Sequence, residues 1–175
     1  MLSEIGNLLI IGSIVLTISI IHLTYKNLRT KNFVIGLNLV YASIFQITII
    51  ISIFFLLIFS FAYSDFSLLA VYQNSHTSKP MLYKIAGVWG NHEGSLLLWV
   101  NIMVIFSYLF FVFNKNSNKS YKLYTLLAQN ILIIDFLIFL FAESNPFSKI
   151  IPMPIEGLGL NPILQDPALA IHPPL

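Results

Sequence analysis

Apolar residues run along this chain in four long blocks with few polar interruptions. A helix that crosses a bilayer needs roughly 20 mostly apolar residues. Four stretches meet that length: Ile5 to Tyr25, Gly36 to Tyr63, Ser95 to Phe113 and Leu123 to Ala142. The second is long enough to span with tilt or to reach into the interface. The runs are continuous rather than alternating, which disfavours barrel strands. The expected fold is therefore an all-α polytopic membrane protein with four transmembrane helices. Residues 1–142 would form the spanning domain, with an extramembrane loop at 64–94, and residues 143–175 a proline-rich tail. No internal repeat and no soluble domain is visible.

Composition agrees with the pattern. Of the 175 residues 57% are hydrophobic and 9% charged, with a mean hydropathy of +0.84. Soluble domains carry about 25% charged residues, and disordered chains are far less apolar than this. With 0 cysteines, a disulfide scaffold, a thiolate metal site and a cysteine nucleophile are all excluded. A net charge of +2 gives no argument for nucleic acid. The placement of charge says more than its sum. Lys26, Arg29 and Lys31 lie between the first two spans, and Lys115, Lys119 and Lys122 between the last two. The positive-inside rule assigns those loops to the cytoplasm, or to the matrix of a mitochondrion. The N-terminus, the segment from Ser64 to Gly94 and the C-terminal tail are then expected on the outer side, in the periplasm or intermembrane space. No cleavable targeting sequence is evident, since Glu4 stands where a basic cluster would be. Heavy use of Ile, Phe, Asn and Lys fits an AT-rich coding sequence, as in organelle genomes. The expected location is the mitochondrial inner membrane, multi-pass, with the bacterial plasma membrane as the alternative.

Few residues within the spans carry chemical information. Asn38, Ala42 and Gln46 fall at i+4 steps on one helix face, as helix–helix contacts do. Asp135 is an intramembrane carboxylate, costly and a functional candidate by default. Its structural reading is a protonated or hydrogen-bonded acid facing a neighbouring helix near Gln129 or Asn130. Of the four histidines, His22 sits at the inner end of its span, and His76 in a polar loop where it is expected to be solvated. The stretch from Lys84 to Ser95 gathers Gly87, Gly90 and Gly94 around Trp89, His92 and Glu93. It reads either as a helix-entry turn with Ser95 as cap and a Trp anchor, or as a place where a ligand approaches closely. Trp89 and Trp99 suit the aromatic belt of a membrane interface. The tail from Ser144 contains Pro146, Pro152, Pro154, Pro162, Pro167, Pro173 and Pro174, so it cannot stay helical for long. His172 precedes two of these prolines and is held extended. An imidazole presented so stiffly suits an axial ligand to haem iron.

Two stretches together resemble a known family. Lys84-Ile85-Ala86-Gly87-Val88-Trp89-Gly90-Asn91-His92-Glu93-Gly94-Ser95, with Leu96 to Trp99 after it, is similar to the first outer-side motif of the cytochrome c maturation protein CcmF family. Ser144 to Phe147, followed by Asn161 to Leu175, is similar to the second. Asn91, and Ala168 where glycine is usual, are small departures. The resemblance covers essentially the whole chain and implies the N-terminal part of a cytochrome c haem lyase. It further implies haem as cofactor and His172 as an axial ligand to the haem iron. The family transfers haem from a carrier to the CxxCH thiols of apocytochrome c. Its Trp-rich outer segment, its two intramembrane histidines for haem b and its second external histidine are not found in this chain. The chain is thus expected to be a subunit of a split protein or a fragment, not competent alone. Its expected partners are the remaining CcmF part or parts, other cytochrome c maturation proteins, apocytochrome c, a haem carrier and membrane lipid. Trp89, His92 and Glu93 are candidates for lining a haem or quinol pocket. Two rival readings are a four-span transport or channel subunit and a non-catalytic subunit of a respiratory complex.

Overall fold

The computed structural model describes residues 1–30, 36–114, 117–159 and 161. Four long helices are present: α1 (Leu2–Arg29), α2 (Leu37–Ala62), α5 (His92–Phe113) and α6 (Lys119–Ala142). All four are long and apolar enough to cross a membrane. Two short helices, α3 (Leu69–Asn74) and α4 (Met81–Trp89), lie between α2 and α5. No strand is assigned among the described residues, only an isolated antiparallel bridge between Leu68 and Lys149.

Each long helix packs against two others, in the cyclic order α1, α2, α5, α6, and sequence neighbours run antiparallel. The seam is visible in the spacing of buried residues. In α1 they are Ser3, Gly6, Ile10, Ser13, Thr17, Ile20 and Thr24. In α6 they are led by Leu123, Leu126, Asn130, Ile133, Leu137 and Leu140. Alternating steps of three and four average 3.5 residues, the repeat of left-handed bundle packing. Small and polar residues face inward on α1, while Leu8, Ile11, Val15 and Ile18 face outward. Lipid is as apolar as leucine, so close backbone approach and interhelical hydrogen bonds, rather than water exclusion, hold such helices together.

Gln46 makes that bond at mid-bundle. Its amide donates to Thr17 Oγ1 and to Asn130 Oδ1, both at 2.9 Å, linking three helices. The expected contact face of the second span is thus realised at Gln46, whereas Asn38 is exposed. Around this node one apolar cluster, including Ile10, Ile53, Leu57, Leu97, Val100, Leu137 and Phe147, fills the half toward α3 and α4. A second, of Ile20, Leu39, Phe111, Leu123 and Leu126, fills the other half. Lys122, read from sequence as part of a basic loop, belongs to α6 and is buried. Its ammonium lies 5.5 Å from the centre of the Phe111 ring, which offsets part of the cost of its burial.

After α6 the chain folds back over the end of the bundle. Ser3 Oγ donates to the Phe147 carbonyl at 2.7 Å, and Asn145 Nδ2 donates to Asn7 Oδ1 at 2.7 Å. Phe147 is fully buried, and its ring occupies the space a side chain at Gly6 would need. Backbone bonds from Leu69 to Ser148 and from Ile150 to Ser67 continue the seam. The N-terminus, the 64–91 segment and the root of the tail therefore share one end of the molecule. The helix ends with Lys26, Arg29 and Lys119 lie at the other.

Candidate functional site

The shared end is organised around the turn between α4 and α5. Asn91 is buried there and works in both directions. Its Oδ1 accepts from the Gly94 N–H at 2.7 Å, capping α5, while its Nδ2 donates to the carbonyls of Gly87 at 2.6 Å and Val88 at 3.1 Å. Asn91, and not Ser95 as the sequence suggested, is the cap; Ser95 Oγ instead donates to the Asn91 carbonyl at 2.7 Å. Asn is among the best capping residues because its short side chain reaches the free N–H groups of the first turn. Gly94 is required by contact, since a Cβ there would strike the Val88 carbonyl. Much of the Trp89–Ser95 motif thus builds the turn, and the sequence reading of 64–94 as a loop missed the two short helices that the turn organises.

What the turn leaves outward is His92, the first residue of α5. Its ring stands edge-on to Phe139 of α6, with centroids 6.5 Å apart and planes at 88°. It opens a groove of about 330 Å³ between α5 and α6, lined by His92, Ser95, Leu96, Trp99 and Phe136. Trp99 is exposed along it, as a residue of the aromatic belt would be. Trp89 is instead half-buried against the central cluster, and Glu93 is half-buried in the first turn of α5. Two recesses of about 210 Å³ follow the same two helices, one beside this groove and one deeper. One is lined by Leu96, Asp135, Phe136 and Phe139, the other in part by Met103, Phe106, Gln129 and Leu132. Asp135 is therefore not turned toward Asn130; it lies exposed on the outer face of the bundle.

The tail passes over α3 on its way from Phe147. Leu158 N–H donates to the Tyr72 carbonyl at 2.8 Å and Gly159 N–H to that of Ser75 at 3.0 Å. Glu156 fastens this strap: it accepts from Thr77 Oγ1 at 2.5 Å and from the Thr77 N–H at 3.0 Å, with His76 Nδ1 at 3.8 Å. The Thr77 bonds, helped by the Gly157 N–H and His76, push its pKa from the ordinary 4.5 down to about 2. His76 is thus a partner in the strap, not simply solvated; its Nδ1 also meets Ser78 Oγ at 2.9 Å. His22 is exposed near the far end of α1. His172 lies outside the described residues, as does Ala168.

Among the described residues no three His, Cys, Asp or Glu side chains come together. Haem iron asks the protein for axial imidazoles and the macrocycle for apolar and aromatic walls. Trp99 offers such a surface beside the one imidazole of the groove, His92. The α6 side of the groove was not legible in sequence, because Phe136 and Phe139 are two aromatic residues among many in their span.

Residues 89–175 match the model of a family described as Cytochrome C assembly protein. The chain belongs to this family. It is 49% identical over 122 residues to the cytochrome c-type biogenesis protein CycK of Rhizobium meliloti (strain 1021), covering 70% of this chain and 18% of that protein. It is 46% identical over 133 residues to the biogenesis protein ccl1 of Rhodobacter capsulatus, covering 76% and 20%. With the biogenesis protein CcmF of Escherichia coli (strain K12) it shares 42% over 123 residues, covering 70% and 19%. The chain thus spans about a fifth of the length of these relatives. No solved structure matches it significantly.

Proposed function

We propose that this chain acts in cytochrome c maturation as part of a haem lyase and presents His172 to haem on the outer face of the membrane. The observation that carries this is the extent of the family match. It runs from Trp89 to Leu175 and so takes in the first motif stretch from Trp89 onward and the whole of the second. In the fold, the first stretch and the root of the tail are fastened to the same end of the bundle. His172 donates a neutral imidazole nitrogen, and Pro173 and Pro174 limit the freedom lost on ligation. His92 and Trp99, with Trp89 and Glu93 close in sequence, line the approach. Bound haem supplies the vinyl groups to which the apocytochrome thiols add. The contribution of this chain is then positioning, which places the two reactants at a high effective concentration.

A partial chain cannot complete such a site. The second axial ligand comes from another segment or polypeptide, and the partners are other maturation proteins, apocytochrome c and a haem carrier. The relatives are bacterial, which points to a plasma membrane, whereas the mitochondrial inner membrane has only the chain's composition behind it. A transport reading finds little support inside the bundle, where Thr17, Gln46 and Asn130 bond to one another. The test is the visible spectrum of the assembly purified with its companion chains. His172→Ala is expected to abolish or shift the haem absorbance while the assembly stays intact. An unchanged spectrum and haem content would overturn the ligand assignment.

A further inference from the structure

Asp135 sits well inside the span of α6, seven residues before its last residue, Ala142, and is exposed on the outer face of the bundle. It makes no hydrogen bond or ion pair among the described residues. A carboxylate facing lipid at that depth is unfavourable, and intramembrane acids are almost always paired or turned to an interior. Six residues earlier, Gln129 lines the same α5–α6 channel, and its Oε1 has no hydrogen-bond partner. The recesses at Asp135 and Gln129, with the groove at His92, follow one pair of helices, walled by Leu96, Phe106 and Phe136. The relatives are about five times as long as the stretch this chain covers, so most of the family's length lies outside it.

From these observations we infer that the α5–α6 channel is the seat of a membrane-spanning helix from a second polypeptide. That helix carries a basic side chain opposite Asp135. A hydrogen-bond donor about two turns along it, roughly 9–10 Å away, faces Gln129. The apolar walls supply the packing that joins helices in lipid, and the paired charge fixes depth and rotation. This docking is independent of haem ligation, and its test reads contacts rather than absorbance.

The experiment places a photoreactive benzoylphenylalanine at Leu132 or Phe139, both exposed beside Asp135, with Phe55 of α2 as the off-channel control. The full chain is used in its native membranes, and crosslinked peptides are sequenced. Expected is one membrane-spanning peptide containing Lys, Arg or His, captured from Leu132 and Phe139 but not from Phe55. Asp135→Leu is expected to lower its yield at least tenfold, and Asp135→Glu to restore it. Three results would overturn the proposal: adducts to lipid or to a second copy of this chain alone, a captured helix without a basic residue, or a yield indifferent to Asp135→Leu. Asp135 is outside the buried core, so an unchanged melting temperature of the variant confirms that the bundle itself is intact.

Discussion

At the scale of single residues, polar side chains decide most of what the apolar ones leave open. Gln46 is a single residue among the 26 of α2, yet it bonds to two other helices. Gln46→Leu would strip the donor from Thr17 and Asn130 and is expected to cost about 1–2 kcal/mol, read as a lower melting temperature in detergent. Gly94→Ala should cost about 2–3 kcal/mol, because the added carbon meets a carbonyl that cannot move without breaking the α4–α5 turn. Gly12→Ala, where nothing lies within 4 Å, is the neutral control. Glu156 gives a pH prediction. Its carboxylate is favoured in the folded state, so its stabilisation is present above the ordinary pKa of 4.5 and lost as pH falls toward about 2. Hydrogen exchange at Leu158 and Gly159 should accelerate across that window. Thr77→Val should reduce the size of that acceleration, because less of the pKa shift remains; an undiminished acceleration would show that the strap does not depend on this bond.

At the scale of elements, the four spans were legible because length and continuous apolarity suffice to mark them. Their ends extend past the apolar runs, to Leu2 and Arg29 in α1 and back to Lys119 in α6. Polar and basic residues at a span's end remain helical while their heads reach the interface. Helices α3 and α4 have 6 and 9 residues, too short to raise a periodic signal, and their identity depends on packing, of α4 against α2 and α5 and of α3 against α4. The rotation of each span was not legible either. Sequence placed Asp135 in a helix, but only packing showed that it faces outward and that Lys122 faces inward. The tail read correctly as non-helical, while its anchor, Phe147 in the space left by Gly6, depends on two residues 141 positions apart. Phe147→Ala should remove about 3 kcal/mol of docking and expose residues 143–159 to limited proteolysis, leaving the four long helices resistant. Digestion of the helices at the same rate would mean that the tail is not a separately docked element.

At the scale of the whole molecule, two ends of different chemistry emerge from one up-and-down bundle. One gathers the α4–α5 turn, the strap and the root of the His172 segment. The other carries Lys26, Arg29 and Lys119. The proposed ligation by His172 would require the first end to face the compartment where apocytochrome c is matured, and basic residues toward the opposite side favour that orientation. The chain has 0 cysteines, so a single introduced thiol reports its own position without background. Gln73 and Thr30 are both exposed, one at each end. With a membrane-impermeant maleimide on sealed spheroplasts or mitoplasts, Gln73→Cys should label at once and Thr30→Cys only after the membrane is opened. The reverse pattern would place the motif-bearing end in the wrong compartment and contradict the account.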